Sequence, residues 1–329
     1  MKAAVIGAGS WGTTVASKLA PKAETVLWAR RAELAERINS GTNPDYLDGF
    51  ELPRELTGST DIVETIAGAG VIVMGVPSHG YRAVLEQAAP HIAPEVPVLS
   101  LTKGVEQATL MRMTEVTADV LPDHDKARIG VLTGPNLARE IMAGQPAATV
   151  IAMADHDAAI ELQALFMGPL FRVYTNSDVT GSESAGAIKN VMALAAGMAE
   201  GLGFGLNTVS MLMTRALVEM SRLGVALGGE ATTFAGLAGM GDLIATCMST
   251  LSRNHRVGVG LGEGKTIDEI VSEMNMVAEG VKSTKGILEL AHRVGVEMPI
   301  AEQVGRVLYE NASVPEAISL LMGRPPKRE

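Results

Sequence analysis

Six residues near the amino terminus, Gly7-Ala8-Gly9-Ser10-Trp11-Gly12, satisfy the pattern G-x-G-x-x-G. They follow an apolar run, residues 3–6, that reads as a strand, and they open a stretch that reads as a helix through about Ala20. In that setting the pattern predicts a dinucleotide-binding turn. Gly7 permits the tight turn, Gly9 lets a pyrophosphate come close, and Gly12 lets helix pack on strand. The free N–H groups at the start of the helix then face the negative charge. Glycine strings also occur in plain turns, so the strand–turn–helix context carries the reading. A second strand, residues 25–28, ends where a carboxylate commonly receives the adenosine ribose hydroxyls; this chain has Ala29-Arg30-Arg31 there. An acid would repel a 2′-phosphate and an arginine pair neutralises it, which predicts NADP as the preferred cofactor and leaves NAD possible. The same arginines also read as the solvated start of the next helix.

Lys103 closes a strand in Ser100-Leu101-Thr102-Lys103-Gly104, at the carboxyl edge where open α/β sheets bind ligands. Gly134-Pro135-Asn136 follows the next strand toward the same crevice. The sharper case is Lys189, in Gly186-Ala187-Ile188-Lys189-Asn190-Val191, with Ala185 and Gly186 on its own helical face and no other charge in its apolar flanks. A charged ammonium among such neighbours is costly. That suits a lysine that gives a proton to a carbonyl oxygen during reduction and removes it in reverse; a snorkelling lysine at a helix edge is the structural alternative. Asp242 reads equally as a helix cap or a functional acid. Ser252-Arg253-Asn254 is short and polar between helical pieces, where an arginine clamps a phosphate and an asparagine binds a hydroxyl. Glu279, in a first helical turn, serves the helix dipole by default. The six histidines show no metal-ligand spacing, and no metal site is expected.

The elements that must position these residues fall into two halves. Apolar runs at 71–76, 98–102, 129–132, 148–153 and 171–174 alternate with helical patterns such as 81–89 and 156–166. This predicts an α/β fold, an N-terminal Rossmann-type doubly wound, mainly parallel sheet, over residues 1–177. From Asp178, a plausible helix cap, the pattern is helical throughout: 178–200, 208–227, shorter pieces in 233–250, 267–274 behind the capping box Thr266/Glu269, 281–294, 300–310 and 316–322. Residues 178–329 are therefore expected to form a C-terminal all-α domain. The net charge of −10 argues against nucleic acid and anionic membranes as partners. One cysteine, Cys247, leaves no internal disulfide. No run of about 18 uncharged apolar residues is apparent, so no stable membrane insertion is expected and the location expected is cytoplasmic.

The segments GAGSWGT, LTKG, TGPNLARE, GAIKNVMALAAG, GLGFGLNT, GLAGMGDLIATC, SRN and VAEG occur in this order from Gly7 to the last third of the chain. Together they resemble the bacterial NAD(P)-dependent glycerol-3-phosphate dehydrogenase family. The resemblance implies reversible reduction of dihydroxyacetone phosphate to sn-glycerol 3-phosphate, feeding phospholipid synthesis. It implies that Ser10 and Trp11 contact the cofactor, with Arg30 and Arg31 near its adenosine phosphate, and that Ala138, Val277, Glu279 and Arg253 also reach the cofactor. It places Lys103 on both substrate and cofactor, Gly134 and Asn136 on the substrate, and Lys189 as catalytic proton carrier with Asp242 beside it. Ser252, Arg253 and Asn254 become the substrate-binding stretch, with Arg253 on the phosphate. Family habit and an apolar helical half imply a homodimer. Ser182-Glu183-Ser184 departs from the more usual apolar residues around that glutamate and is expected to alter packing beneath Lys189; Ser210-Met211 replaces commoner small alanines.

Two other readings compete. A β-hydroxyacid dehydrogenase or ketoacid reductase of the same architecture also pairs a glycine-rich turn with a helical-domain lysine, but its substrate has no phosphate for the SRN stretch to hold. A non-catalytic NADP sensor keeps the glycines and arginines without reason to keep Lys189, Asp242 and Arg253 together.

Overall fold

A computed structural model describes residues 1–273 and 278–326. The chain divides into two compact units, one of Met1–Glu106 with Met111–Glu183, the other of Gln107–Leu110 with Ser184–Glu329.

The first unit is built on an eight-stranded sheet: β1 (Lys2–Ile6), β2 (Glu24–Trp28), β3 (Leu56–Ser59), β4 (Ala69–Met74), β5 (Val98–Ser100), β6 (Ile129–Thr133), β7 (Ala147–Ala152) and β8 (Phe171–Asn176). Their order across the sheet is β3-β2-β1-β4-β5-β6-β7-β8. The first six follow the doubly wound nucleotide-binding order, and every pairing is parallel except β6 with β7. The central strands bury both faces. In β1, Ala3 and Val5 join one apolar cluster while Ala4 and Ile6 join the other, and in β4 Val71 and Val73 alternate likewise with Ile72 and Met74. This is why the strands are continuous apolar runs rather than alternating ones. The run expected at 71–76 is therefore the fourth strand, since β3 escapes notice. It is an edge strand whose exposed Thr57 and tight Gly58 leave Leu56 as its one large apolar residue.

The second unit is helical. Val179–Gly201 is one long helix whose first turn belongs to the sheet unit, capped as expected by Asp178, whose Oδ1 accepts from Gly181 N at 2.7 Å. Leu206–Ala226, Ala231–Phe234, a π-type turn Leu237–Gly241 and Asp242–Met248 follow. Arg253–Gly262 is a full helix, which corrects the reading of Ser252-Arg253-Asn254 as a connector: Ser252 is its N-cap, accepting from His255 N at 3.3 Å. Ile267–Glu273 opens on the Thr266/Glu269 capping box, and Met274 lies outside the described residues. Glu279–Arg293, Pro299–Tyr309 and Val314–Met322 complete the unit.

One stretch, Ala231–Met248, has the length and hydropathy of a membrane span, although it is not free of charge. It is broken after Phe234 and continues as a π-type turn running into a short helix, and it carries the buried Asp242.

Glu219, on Leu206–Ala226, is buried and receives the first N–H groups of another helix, Ile300 N at 2.9 Å and Ala301 N at 3.5 Å. Burial pushes its carboxyl up to about 7, outweighing the pull of those N–H donors. A folded-state pKa above the unfolded value means a contribution fully present below the unfolded pKa and lost as pH rises through the folded one. Glu219→Gln is therefore expected to melt progressively higher than the wild type as pH is raised from about 4.5 to about 7, with the difference levelling off above that; melting curves across this range check it.

Candidate active site

The first unit places the glycine turn at the carboxyl ends of β1 and β4. Gly7, at φ +115°, takes a left-handed backbone conformation that L side chains rarely adopt, and its N–H donates to Trp28 O at 3.1 Å. A Cβ on Gly7 would stand 2.6 Å from Gly75 O, and one on Gly12 would stand 2.0 Å from Gly7 O. Gly9 is different: a Cβ there would meet nothing within 4 Å. Gly7 and Gly12 thus serve the fold, whereas Gly9 keeps space open above a helix, Ser10–Leu19, that starts without a side-chain cap. Uncapped N–H groups beside an open approach fit a dinucleotide pyrophosphate. Ser10 Oγ already donates to Tyr46 O at 3.1 Å, and Trp11 packs edge-on to Phe171 with its Nε1 buried and lacking a hydrogen-bond partner among the described residues. Arg30 is exposed, and Arg31 is ion-paired with Asp45.

The loops after β5 and β6 meet. Lys103 Nζ donates to Gly134 O at 3.0 Å, with Gly134 at φ +128°. Asn136 Nδ2 donates to Thr149 Oγ1 at 2.9 Å, while Asn136 Oδ1 and Thr133 Oγ1 are buried with no hydrogen-bond partner among the described residues. Buried polar atoms left in this way point to a polar ligand or water. Ala138 opens the short helix Ala138–Met142 and is half-buried.

In the helical unit Lys189 is 5% exposed, and its Nζ donates to Asp242 Oδ1 at 2.7 Å and to Thr246 Oγ1. Thr246 stands one turn beyond Asp242 on the same helix and also donates to its Oδ1, at 3.3 Å. The snorkelling alternative fails, because a buried ammonium is sustained by a buried carboxylate. Thr246 escaped the sequence reading, although its i+4 spacing from Asp242 was a usable signal. The π-type turn that launches this helix is a feature often found at functional sites. Cys247 follows, buried, with burial pushing its thiol up to about 12 against the pull of Lys189.

Asn254 is buried and its Oδ1 accepts from Gly280 N at 2.9 Å, next to Glu279 at the start of its helix. A Cβ on Gly280 would stand 2.6 Å from Asn190 O. The structure thus brings together, within this unit, the helix of Lys189, the Ser252-Arg253-Asn254 stretch and Glu279. Arg253 is exposed at the first position of its helix. Val277 lies outside the described residues. The Glu183 carboxylate receives Thr114 N at 2.9 Å, the Thr114 hydroxyl and Arg112 Nη1 at 3.1 Å. Burial raises the Glu183 pKa despite that arginine. Ser182 Oγ and Ser184 Oγ are buried without hydrogen-bond partners among the described residues.

Two outcomes follow from this geometry. Gly12→Ala should lower the melting temperature by several degrees, as expected of a clash worth ~2 kcal/mol, whereas Gly9→Ala should leave it nearly unchanged and still weaken NADPH binding by fluorescence titration. Thr246→Val, which keeps shape and removes one partner of Lys189, should lower kcat about tenfold or more while leaving nucleotide affinity unaltered.

Comparison with known proteins shows the family to which the chain belongs. Residues 2–159 match the profile described as NAD-dependent glycerol-3-phosphate dehydrogenase N-terminus, and residues 178–319 match that of its C-terminus. A glycerol-3-phosphate dehydrogenase [NAD(P)+] of Sphingopyxis alaskensis is 57% identical over 92% of this chain and 91% of its own. One from Thermobifida fusca is 51% identical over 100% of this chain and 98% of its own. Among solved structures, the glycerol-3-phosphate dehydrogenase of Coxiella burnetii superposes with a TM-score of 0.93 at 34% identity, covering 98% of this chain and 99% of that one. The chain belongs to the NAD-dependent glycerol-3-phosphate dehydrogenase family.

Proposed function

We propose that the chain is an NAD(P)-dependent glycerol-3-phosphate dehydrogenase that reduces dihydroxyacetone phosphate at C2, reversibly, and supplies glycerol 3-phosphate for phospholipid synthesis. The observation that carries the reading is the buried Lys189–Asp242–Thr246 cluster in the same unit as Arg253 and Asn254. Residues 1–177 chiefly hold the cofactor and residues 178–329 chiefly the substrate. Gly7, Gly9, Ser10, Trp11 and Gly12 receive the dinucleotide, and Arg30 and Arg31 face its adenosine end. When bound, the dinucleotide supplies the hydride.

Lys189 holds a proton at Nζ and gives it to the ketone oxygen as the alcohol forms; in reverse it takes that proton back. Asp242 and Thr246 fix the ammonium, so its donor direction is set before the substrate arrives. In a chain of net charge −10 a dianionic phosphate needs local cations, and Lys103, Lys189 and Arg253 supply them. Arg253 binds the phosphate bidentately, Asn254 and Asn136 bind hydroxyl or carbonyl oxygens, and holding the phosphate end orients the reacting carbon. A ketoacid with no phosphate would leave the Ser252-Arg253-Asn254 stretch without a task. We further propose that the enzyme works in the cytoplasm as a homodimer, which a molar-mass measurement in solution checks.

Purified protein is expected to oxidise NADPH on addition of dihydroxyacetone phosphate, and NADH more weakly. Lys189→Ala should lose at least ~10³-fold in kcat, near the range of a positioned acid, while still binding NADPH. Turnover with a 2-ketoacid but none with dihydroxyacetone phosphate would sink the proposal.

A further inference from the structure

The short segment after the second strand's helix is tied to the glycine turn. Asn43, fully buried, donates through Nδ2 to Ala8 O at 3.1 Å and to Thr13 Oγ1 at 2.8 Å. Ser10 Oγ reaches the carbonyl of Tyr46 at 3.1 Å. Between these ties, on the helix Pro44–Leu47, stands Asp45. Its two carboxylate oxygens are divided between two arginines: Oδ2 takes Arg31 Nη2, and Oδ1 takes Arg37 Nη1 at 2.9 Å. Arg31 lies three residues past the end of β2, whose Trp28 O receives Gly7 N. The arginine expected to meet a 2′-phosphate therefore already shares a carboxylate with a second arginine.

We propose that Asp45 is a specificity-determining residue that sets how strongly this chain distinguishes a 2′-phosphorylated dinucleotide from an unphosphorylated one. The inference rests on the dinucleotide reading of the glycine turn. Two guanidinium groups around one carboxylate leave a net charge of one, not two, for an incoming phosphate. That charge still attracts a 2′-phosphate, but weakly enough that the cofactor lacking it is not outcompeted. Arg37 shares the carboxylate and so frees part of Arg31; without Arg37, Asp45 would bind Arg31 alone and mask it. The hydrogen bond from Arg31 holds the Asp45 carboxyl below the usual range, so the carboxylate stays charged at neutral pH. All three side chains are partly open to solvent, with 51%, 48% and 30% of the Arg31, Arg37 and Asp45 side chains exposed, so the effect must be modest and sensitive to salt.

The test is calorimetric titration of the full chain with 2′,5′-ADP and with 5′-ADP, at low and high ionic strength, which reads binding without turnover. Asp45→Asn is expected to tighten 2′,5′-ADP about three- to fivefold and to leave 5′-ADP unchanged. Arg37→Gln should weaken 2′,5′-ADP by a similar factor, also without moving 5′-ADP. Both differences should shrink toward nothing at ~1 M salt. The proposal is overturned if Asp45→Asn weakens 2′,5′-ADP, or if either variant shifts both nucleotides alike, since Asp45 would then merely hold the segment in place. Failure of the wild type to bind either nucleotide would instead overturn the dinucleotide reading beneath it.

Discussion

Two helices of the helical unit touch through glycine. Gly197 and Gly201 on Val179–Gly201 face Gly258 and Gly262 on Arg253–Gly262, and their α-carbons leave no space between the backbones. A Cβ on Gly197 would stand 2.1 Å from His255 O, one on Gly201 2.3 Å from Val259 O, one on Gly258 2.2 Å from Leu194 O, and one on Gly262 2.4 Å from Met198 O. Each helical glycine costs about 1 kcal/mol against alanine, so this contact is held at the expense of intrinsic helix stability. What it secures is position. Lys189 lies eight residues before Gly197 on one helix, and Asn254 lies four before Gly258 on the other, so the distance between proton carrier and binding stretch is set by backbone contact rather than by side chains that change rotamer. Gly280 extends the arrangement to a third helix, wedged against Asn190 O and Asn254 Oδ1.

Polar burial is concentrated where helices must be fixed. Glu183 joins the first turn of the long helix to Thr114 and Arg112, Glu219 holds the start of Pro299–Tyr309, and Asp242 holds Lys189. The three acids are treated differently. Asp242 is balanced by a full charge at hydrogen-bond distance, Glu183 by an arginine that burial outweighs, and Glu219 chiefly by N–H dipoles with a weaker pull from Arg222. Only the acid beside the proposed chemistry has a cation of its own that is equally buried, as its task of orienting an ammonium demands.

The sheet was largely legible because its central strands are buried on both faces and so appear as apolar runs, while β8 at the far edge still alternates buried Phe171 and Val173 with exposed residues; seven of the eight could be placed within a few residues. The eighth, β3, lies at the edge with a single large apolar residue, and no local pattern marks it. The Arg253–Gly262 helix was hidden by the glycines that make it useful, since local propensity argues against a helix that tertiary contact imposes. In the site, the glycine turn, Lys103, Lys189 and Asp242 stand out because charge or glycine in an apolar setting is locally conspicuous. Thr246 does not stand out, being one small hydroxyl among many. The link from Asp45 to Arg31 spans 14 positions and joins no recognisable motif, so only the folded chain could show it.

Cys247 is the only thiol in the chain, and it adjoins Thr246 on the helix that carries Asp242. Burial leaves it almost entirely as the unreactive thiol at neutral pH. An electrophile in solution can reach it only when that helix parts from its neighbours. Its alkylation rate is therefore a built-in clock for how often the Lys189 cluster opens, readable by mass without introducing any label. A ligand that tightens the cluster would slow the clock, even one that never touches the sulfur.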